Sequence, residues 1–239
     1  MRVAAVPSVS RTRLALAGCV VLLGVTATLV GTVIPGWAYP LINTTAAVAL
    51  IAIARIGGAT TQAIGLTFGR RTVRAAMIGL AAVTAVLAVG WMLPYIRQVF
   101  AASPATGNSA TDLLWAMLIR VPFGTVLLEE VAFRGVLPAL MGADGRRWMW
   151  RPVLGACVLF GLFHLAPALH QGRCDELAGH SLFCPAGPIL GTAAVMITAM
   201  GLGVALCAVR HIGGGLLAPF AVHTAANSAG YLLAWTAAA

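Results

Sequence analysis

The stretch LLEEVAFRG, residues 127–135, sets two adjacent glutamates and an arginine inside an otherwise apolar run. Two of the chain's six acidic residues stand here, in a sequence of 239 that is 60% hydrophobic and only 9% charged. A soluble domain carries roughly 25% charged residues. So little charge cannot cover a water-facing surface, and the bilayer is the solvent that fits a mean hydropathy of +0.95. The net charge of +9 would suit nucleic acid in a soluble protein. Here the basic residues, all of them arginine, flank apolar runs, so a nucleic-acid partner is not expected.

Apolar runs of roughly 20 residues, the length of one bilayer crossing, recur around the quoted stretch. Seven are found, at approximately 14–34, 39–56, 75–93, 112–141, 153–169, 188–208 and 216–237. The breaks carry Pro, Gly or charge, as in PGWAYP, TFGRRTVR, MGADGRRWMWRP and RHIGGG. The sequence therefore predicts an all-α, polytopic membrane helix bundle of about seven transmembrane segments. It reads as one integral membrane domain without internal repeats. Residues 1–111 form an N-terminal region of three transmembrane helices, and residues 112–239 carry the polar motifs. The first run follows Arg2, Arg11 and Arg13 but exceeds the ~7–15 residues of a signal-peptide core. It reads as a retained anchor.

With the N-terminus cytoplasmic, the inner side holds Arg2, Arg11, Arg13, Arg55, Arg70, Arg71, Arg74, Arg146, Arg147, Arg151 and Arg210. The outer loops hold only Arg97 and Arg173, a strong positive-inside bias that a wrong helix count would scramble. Trp148 and Trp150 fit an interfacial belt. Cys174 and Cys184 bracket an outer loop, where a disulfide can persist, and are a candidate pair. Cys19, Cys157 and Cys207 fall within spans and read as small packing residues.

Ionisable groups at membrane depth are costly, about 2.5–3.5 kcal/mol each on insertion scales, and point to function. They are Arg120, Glu129, Glu130, Arg134, His164 and His223, with the amide Asn227 among them. At ~1.5 Å per residue, Glu129 lies about 18 Å from the end of its run near Met141, and His164 about 17 Å from the inner end of its own. By the same measure His223 is roughly 10–12 Å deep, with Asn227 one turn deeper. Three helices thus bring carboxylate, imidazole and amide to a similar level. Glu130 and Arg134 are spaced i, i+4 and can pair, whereas Glu129 is turned about 100° away and stays free for chemistry. Phe160 and His164 share one face, as do His223 and Asn227, with the Phe160 ring as a packing wall. A carboxylate beside an imidazole can deprotonate a water, and an imidazole plus an amide can donate to an oxyanion. The same Glu129, His164 and His223 could instead ligate Zn²⁺. The residues alone leave both open.

EEVAFR (129–134), FGLFH (160–164) and HTAAN (223–227) resemble the EExxxR, FxxxH and HxxxN motifs of the CPBP intramembrane proteases. That family includes the type II CAAX prenyl endopeptidases and the Abi, or bacteriocin-immunity-like, proteins. The resemblance covers roughly residues 112–237. It implies that Glu129 is the catalytic base with His164 as its partner on the water. It further implies that His223 and Asn227 stabilise the oxyanion, while Glu130 pairs structurally with Arg134. The expected activity is an intramembrane endopeptidase, glutamate-type or metal-dependent, in a bacterial plasma membrane. Its substrate would be a membrane-tethered or lipoprotein-like peptide reached from the cytosol. The alternatives are a non-catalytic immunity or scaffold protein and, further off, a small proton-coupled transporter, for which two related halves would be expected.

Overall fold

A computed structural model describes residues 9–101, 109–165 and 187–237. Its long helices are α1 (Val9–Thr32), α2 (Tyr39–Ile56), α4 (Arg70–Met92), α6 (Ala110–Leu140), α7 (Trp150–Phe163), α8 (Gly187–Gly213) and α9 (Leu217–Ala237). Two short helices, α3 (Thr61–Ile64) and α5 (Pro94–Ala101), lie between them, and no strand occurs among the described residues. Each long helix coincides with one of the seven apolar runs. Five stretches are long and apolar enough to cross a membrane: Val9–Val30, Gly36–Ile56, Arg70–Met92, Ala110–Leu140 and Ile189–Gly213. The other two differ for physical reasons. Helix α7 is only 14 residues long, and α9 interrupts its apolar sequence with His223, Thr224, Asn227 and Ser228. The chain is an all-helical, multi-pass integral membrane protein.

Large apolar side chains such as Val48, Ile78, Val86 and Ile197 are more than 60% exposed, which only a lipid environment makes favourable. The interior is built from small residues that let helices approach closely. Ala15, Ala46, Ala47 and Ala54 of α1 and α2 pack with Val136 and Leu137 of α6 and with Ala156 and Phe160 of α7. Helices before and after residue 111 therefore contribute to one buried cluster. On the other side, α4 and α9 meet through Ala75, Ala76 and Ala218, and a Cβ on Gly79 would overlap Val222.

At 31 residues, α6 is longer than any other helix and is not a uniform α-helix. Ala116–Arg120, Pro122–Val126 and Glu130–Val136 are π-helical. Pro122 has no N–H to give, which breaks the i→i−4 ladder. The wider turns fit more residues per turn, so α6 spans less length than the ~46 Å of a regular helix of this size. Asn43 of α2 donates to the Gly124 carbonyl inside this stretch. Arg120, in the first π segment, is half-buried with its guanidinium 5.6 Å from the Tyr39 ring centre.

The arginine-bearing loops meet at one end of the bundle. Thr12 donates to the Gly57 carbonyl, Thr67 to Gly214 and Thr72 to Gly213. Arg71 reaches the Ile212 carbonyl, and Arg146 donates to Gln62 Oε1 at 3.2 Å. Two expectations change here. Arg210, taken for a loop residue, stands inside α8 and is buried, because it donates to the Gln62 and Ala63 carbonyls at 3.1 and 2.9 Å. His211 is helical too, with its ring edge-on to Trp148. Cys19, Cys157 and Cys207 are buried and free. Cys174 and Cys184, with the rest of their loop, lie outside the described residues.

Candidate active site

Helix α6 carries Glu129, Glu130 and Arg134 into the interior, where they are 6%, 1% and 2% exposed. Arg134 Nη1 is 3.3 Å from Glu130 Oε1, so the i, i+4 pair forms despite the π-helical backbone. The guanidinium lies 4.1 Å from the centre of the Phe160 ring, which provides a cation–π wall in place of water. Phe133 packs on Phe160 at 5.0 Å and on Phe163 at 5.4 Å, fixing α7 against α6.

His164 ends α7. Its Nδ1 is 2.8 Å from the Phe160 carbonyl, and its ring stands edge-on to Phe160. A carbonyl only accepts, so Nδ1 carries the hydrogen and Nε2 keeps its lone pair in the neutral ring. His223, on α9, is held in a similar way by a different group. Its Nδ1 is 2.7 Å from Glu130 Oε1, and its Nε2 is 3.7 Å from Glu129 Oε2. One carboxylate oxygen of Glu130 thus serves both Arg134 and His223.

The anticipated division between a structural Glu130 and a free Glu129 is therefore incomplete, since Glu130 also orients an imidazole that Glu129 faces. No spacing rule connects residues 130 and 223, which come together only through the packing of α6 on α9. Thr125 is a second omission. It lines the same cavity as Glu129 one turn away, and the i, i+4 spacing was there to be read.

These groups open onto a cavity of about 480 Å³. Glu129, His164, His223 and Asn227 line it together, with Thr125 and Phe160 beside them. The rest of the lining is largely apolar, with Val195, Leu202 and Leu206 beside Thr198 of α8 and with Val83 of α4. The volume falls in the ~300–1,000 Å³ range of small-ligand sites, with few polar groups on an apolar lining. Sequence reasoning did not assign α4 or α8 to the site, because their contributions are aliphatic residues and one threonine, none of them ionisable.

The donor chemistry of Glu129, His164 and His223 suits Zn²⁺, with a carboxylate and two Nε2 lone pairs. Their placement does not. Among the described residues, no three His, Cys, Asp or Glu side chains are arranged to hold one metal ion. The polar loop residues His170, Asp175, Glu176 and His180 lie outside the described residues.

A family model, Rce1-like, described as type II CAAX prenyl endopeptidase Rce1-like, matches residues 111–229. The matched stretch contains all the helix segments that supply polar groups to the cavity. No curated protein and no solved structure matches the chain.

Proposed function

Given that the chain belongs, through residues 111–229, to the Rce1-like type II CAAX prenyl endopeptidase family, we propose that it is an active intramembrane endopeptidase whose water is activated by Glu129. The observation that carries this reading is the convergence of Glu129, His164, His223 and Asn227, from three helices, on one buried cavity.

In the proposed reaction, Glu129 and His164 Nε2 hold a water as acceptors, and Glu129 takes its proton as the hydroxide attacks the peptide carbonyl. Asn227 donates its amide hydrogen to the developing oxyanion. His223 has its Nδ1–H committed to Glu130, so its Nε2 can donate only after gaining a proton. Glu129 Oε2, 3.7 Å away, is placed to hand over the one it has taken. The imidazolium so formed sits between two carboxylates, and Glu130 stabilises it as the buried acid of a catalytic triad does. It then donates to the oxyanion and to the leaving amine. Every step uses the chain's own side chains.

The substrate is a membrane-tethered or lipidated peptide, entering from the arginine-rich end, which the positive-inside rule makes cytosolic. A bacterial plasma membrane is the setting proposed. The apolar α4–α8 wall suits a lipid-bearing chain. Cleavage of a lipidated reporter peptide by the purified full-length protein tests the reading, with wild type beside Glu129→Gln and with or without a chelator. Loss of roughly 10²–10⁴-fold in the variant, with wild-type activity kept in chelator, is expected. No cleavage by either protein would leave a scaffold role in its place, and equal cleavage by both would remove Glu129 from the mechanism. Chelator-sensitive activity restored by zinc would overturn the metal-free mechanism.

A further inference from the structure

A second, smaller cleft lies at the arginine-rich end, between α3, the 141–149 loop, α7 and α8. Arg134, Arg147, Trp148, Cys207, Arg210 and His211 line it, and no carboxylate does. Helix α8 separates it from the catalytic cavity, since Cys207 and Arg210 face the cleft whereas Leu206 and Val209 face the cavity. Two acids stand close by: Glu130 faces Arg134 from the side of the catalytic cavity, and Asp144 is turned onto the backbone N–H groups of Arg146 and Arg147.

Two of these arginines are more than nine-tenths buried, with Arg134 2% and Arg210 6% exposed. Arg134 has Glu130 as its ion partner, yet none of its three nitrogens makes a hydrogen bond to protein among the described residues. Arg210 gives Nη2 to two carbonyls, its Nε has no such partner, and no described carboxylate pairs with it. Buried guanidinium N–H groups without acceptors are expensive, so the cleft favours an anion with several acceptor oxygens.

Size narrows the choice. A space of about 40 Å³ accommodates roughly three water-sized oxygens at ~10–15 Å³ each, the scale of a phosphoryl group. Its surroundings belong to the membrane interface. Trp148 packs edge-on against Trp150 and His211, and Trp150 is 58% exposed. Indole rings beside arginines sit at headgroup level, where basic pockets between helices take up anionic headgroups.

We propose that this cleft binds the phosphate of an anionic phospholipid, with Arg134, Arg147 and Arg210 donating to its oxygens and Trp148 flanking the glycerol. The test is calorimetric titration of the full-length protein in detergent with dihexanoyl phosphatidylglycerol, dihexanoyl phosphatidylcholine and inorganic phosphate. The phosphatidylglycerol should bind saturably and at least about tenfold more tightly than the other two. Arg147→Gln, at an exposed position that leaves the fold intact, should weaken it about tenfold, the loss of one charge-assisted hydrogen bond. Arg97→Gln, in α5 beyond the C-terminal end of α4 and outside the cleft lining, should not change it. Equal binding by Arg147→Gln and wild type, or no preference for the anionic lipid, would overturn the proposal. Inorganic phosphate binding as tightly as the lipid, with the same loss in Arg147→Gln, would make this a free-anion site and sink the lipid assignment.

Discussion

Replacing Glu130 by Gln separates two roles that one carboxylate oxygen combines. The substitution keeps the shape and leaves an amide oxygen able to accept from His223 Nδ1, but it removes the charge. Against Arg134 at 3.3 Å, the attraction lost is about 5 kcal/mol at an effective dielectric of 20. The net effect on stability should be about 3–5 kcal/mol, the usual result of leaving one partner of a buried ion pair uncompensated. In the transition state the same charge faces the His223 ring at 2.7 Å. Losing it there should lower kcat by about 10²–10³-fold, some 3–4 kcal/mol, in line with removal of other preorganised electrostatic groups. The double variant Glu130→Gln/Arg134→Met distinguishes the two roles. Met replaces the orphaned cation with an apolar chain that packs on Phe160, so thermal stability in detergent should recover most of its loss. Activity on a lipidated reporter peptide should stay low, because His223 still lacks the Glu130 carboxylate at Nδ1. Activity returning together with stability would refute this reasoning and reduce Glu130 to an anchor for Arg134.

Three further outcomes follow from the packing and the loops. Asn43→Ala removes the donor to the Gly124 carbonyl in the π-helical part of α6 and should lower thermal stability by about 1 kcal/mol, the scale of interhelical hydrogen bonds in membranes; an unchanged melting curve would show that the bond contributes nothing. Gly79→Ala places a Cβ into Val222 and should destabilise by about 1–3 kcal/mol through overpacking. Gly90→Ala, where the nearest atom stands 3.7 Å away, is the matched control and should leave stability unchanged. Asp144 is held below the usual carboxylate range by the backbone N–H groups of Arg147 and then Arg146. A depressed folded-state pKa contributes stability above about pH 4 and loses it as pH falls through the lowered value. Amide protection at Arg146 and Arg147 should therefore fall in acid for wild type and be low at every pH in Asp144→Ala, and acid-insensitive protection in wild type would contradict the assignment.

The class of molecule, the positions of the seven long helices among the described residues and the identity of the polar groups at depth were all legible in the chain. Hydropathy and helical period are local properties, and a charge inside an apolar run stands out without any knowledge of its neighbours. The pairing of Glu130 with Arg134 was equally legible, since i, i+4 geometry survives even the π-helical turns of α6. Where groups from different helices meet was another matter. Glu130 and His223 are far apart in the chain, and nothing in either segment records which face of α9 turns toward α6. The same holds for Arg210. Its place next to glycine- and arginine-rich loops reads as solvent-facing, and only the arrival of the Gln62 and Ala63 carbonyls makes burial affordable. The aliphatic wall of the cavity and the placement that disfavours a metal among Glu129, His164 and His223 are likewise products of interhelix packing. Contacts between distant segments depend on crossing angles and side-chain volumes summed over the whole bundle, so the tertiary structure alone decides them.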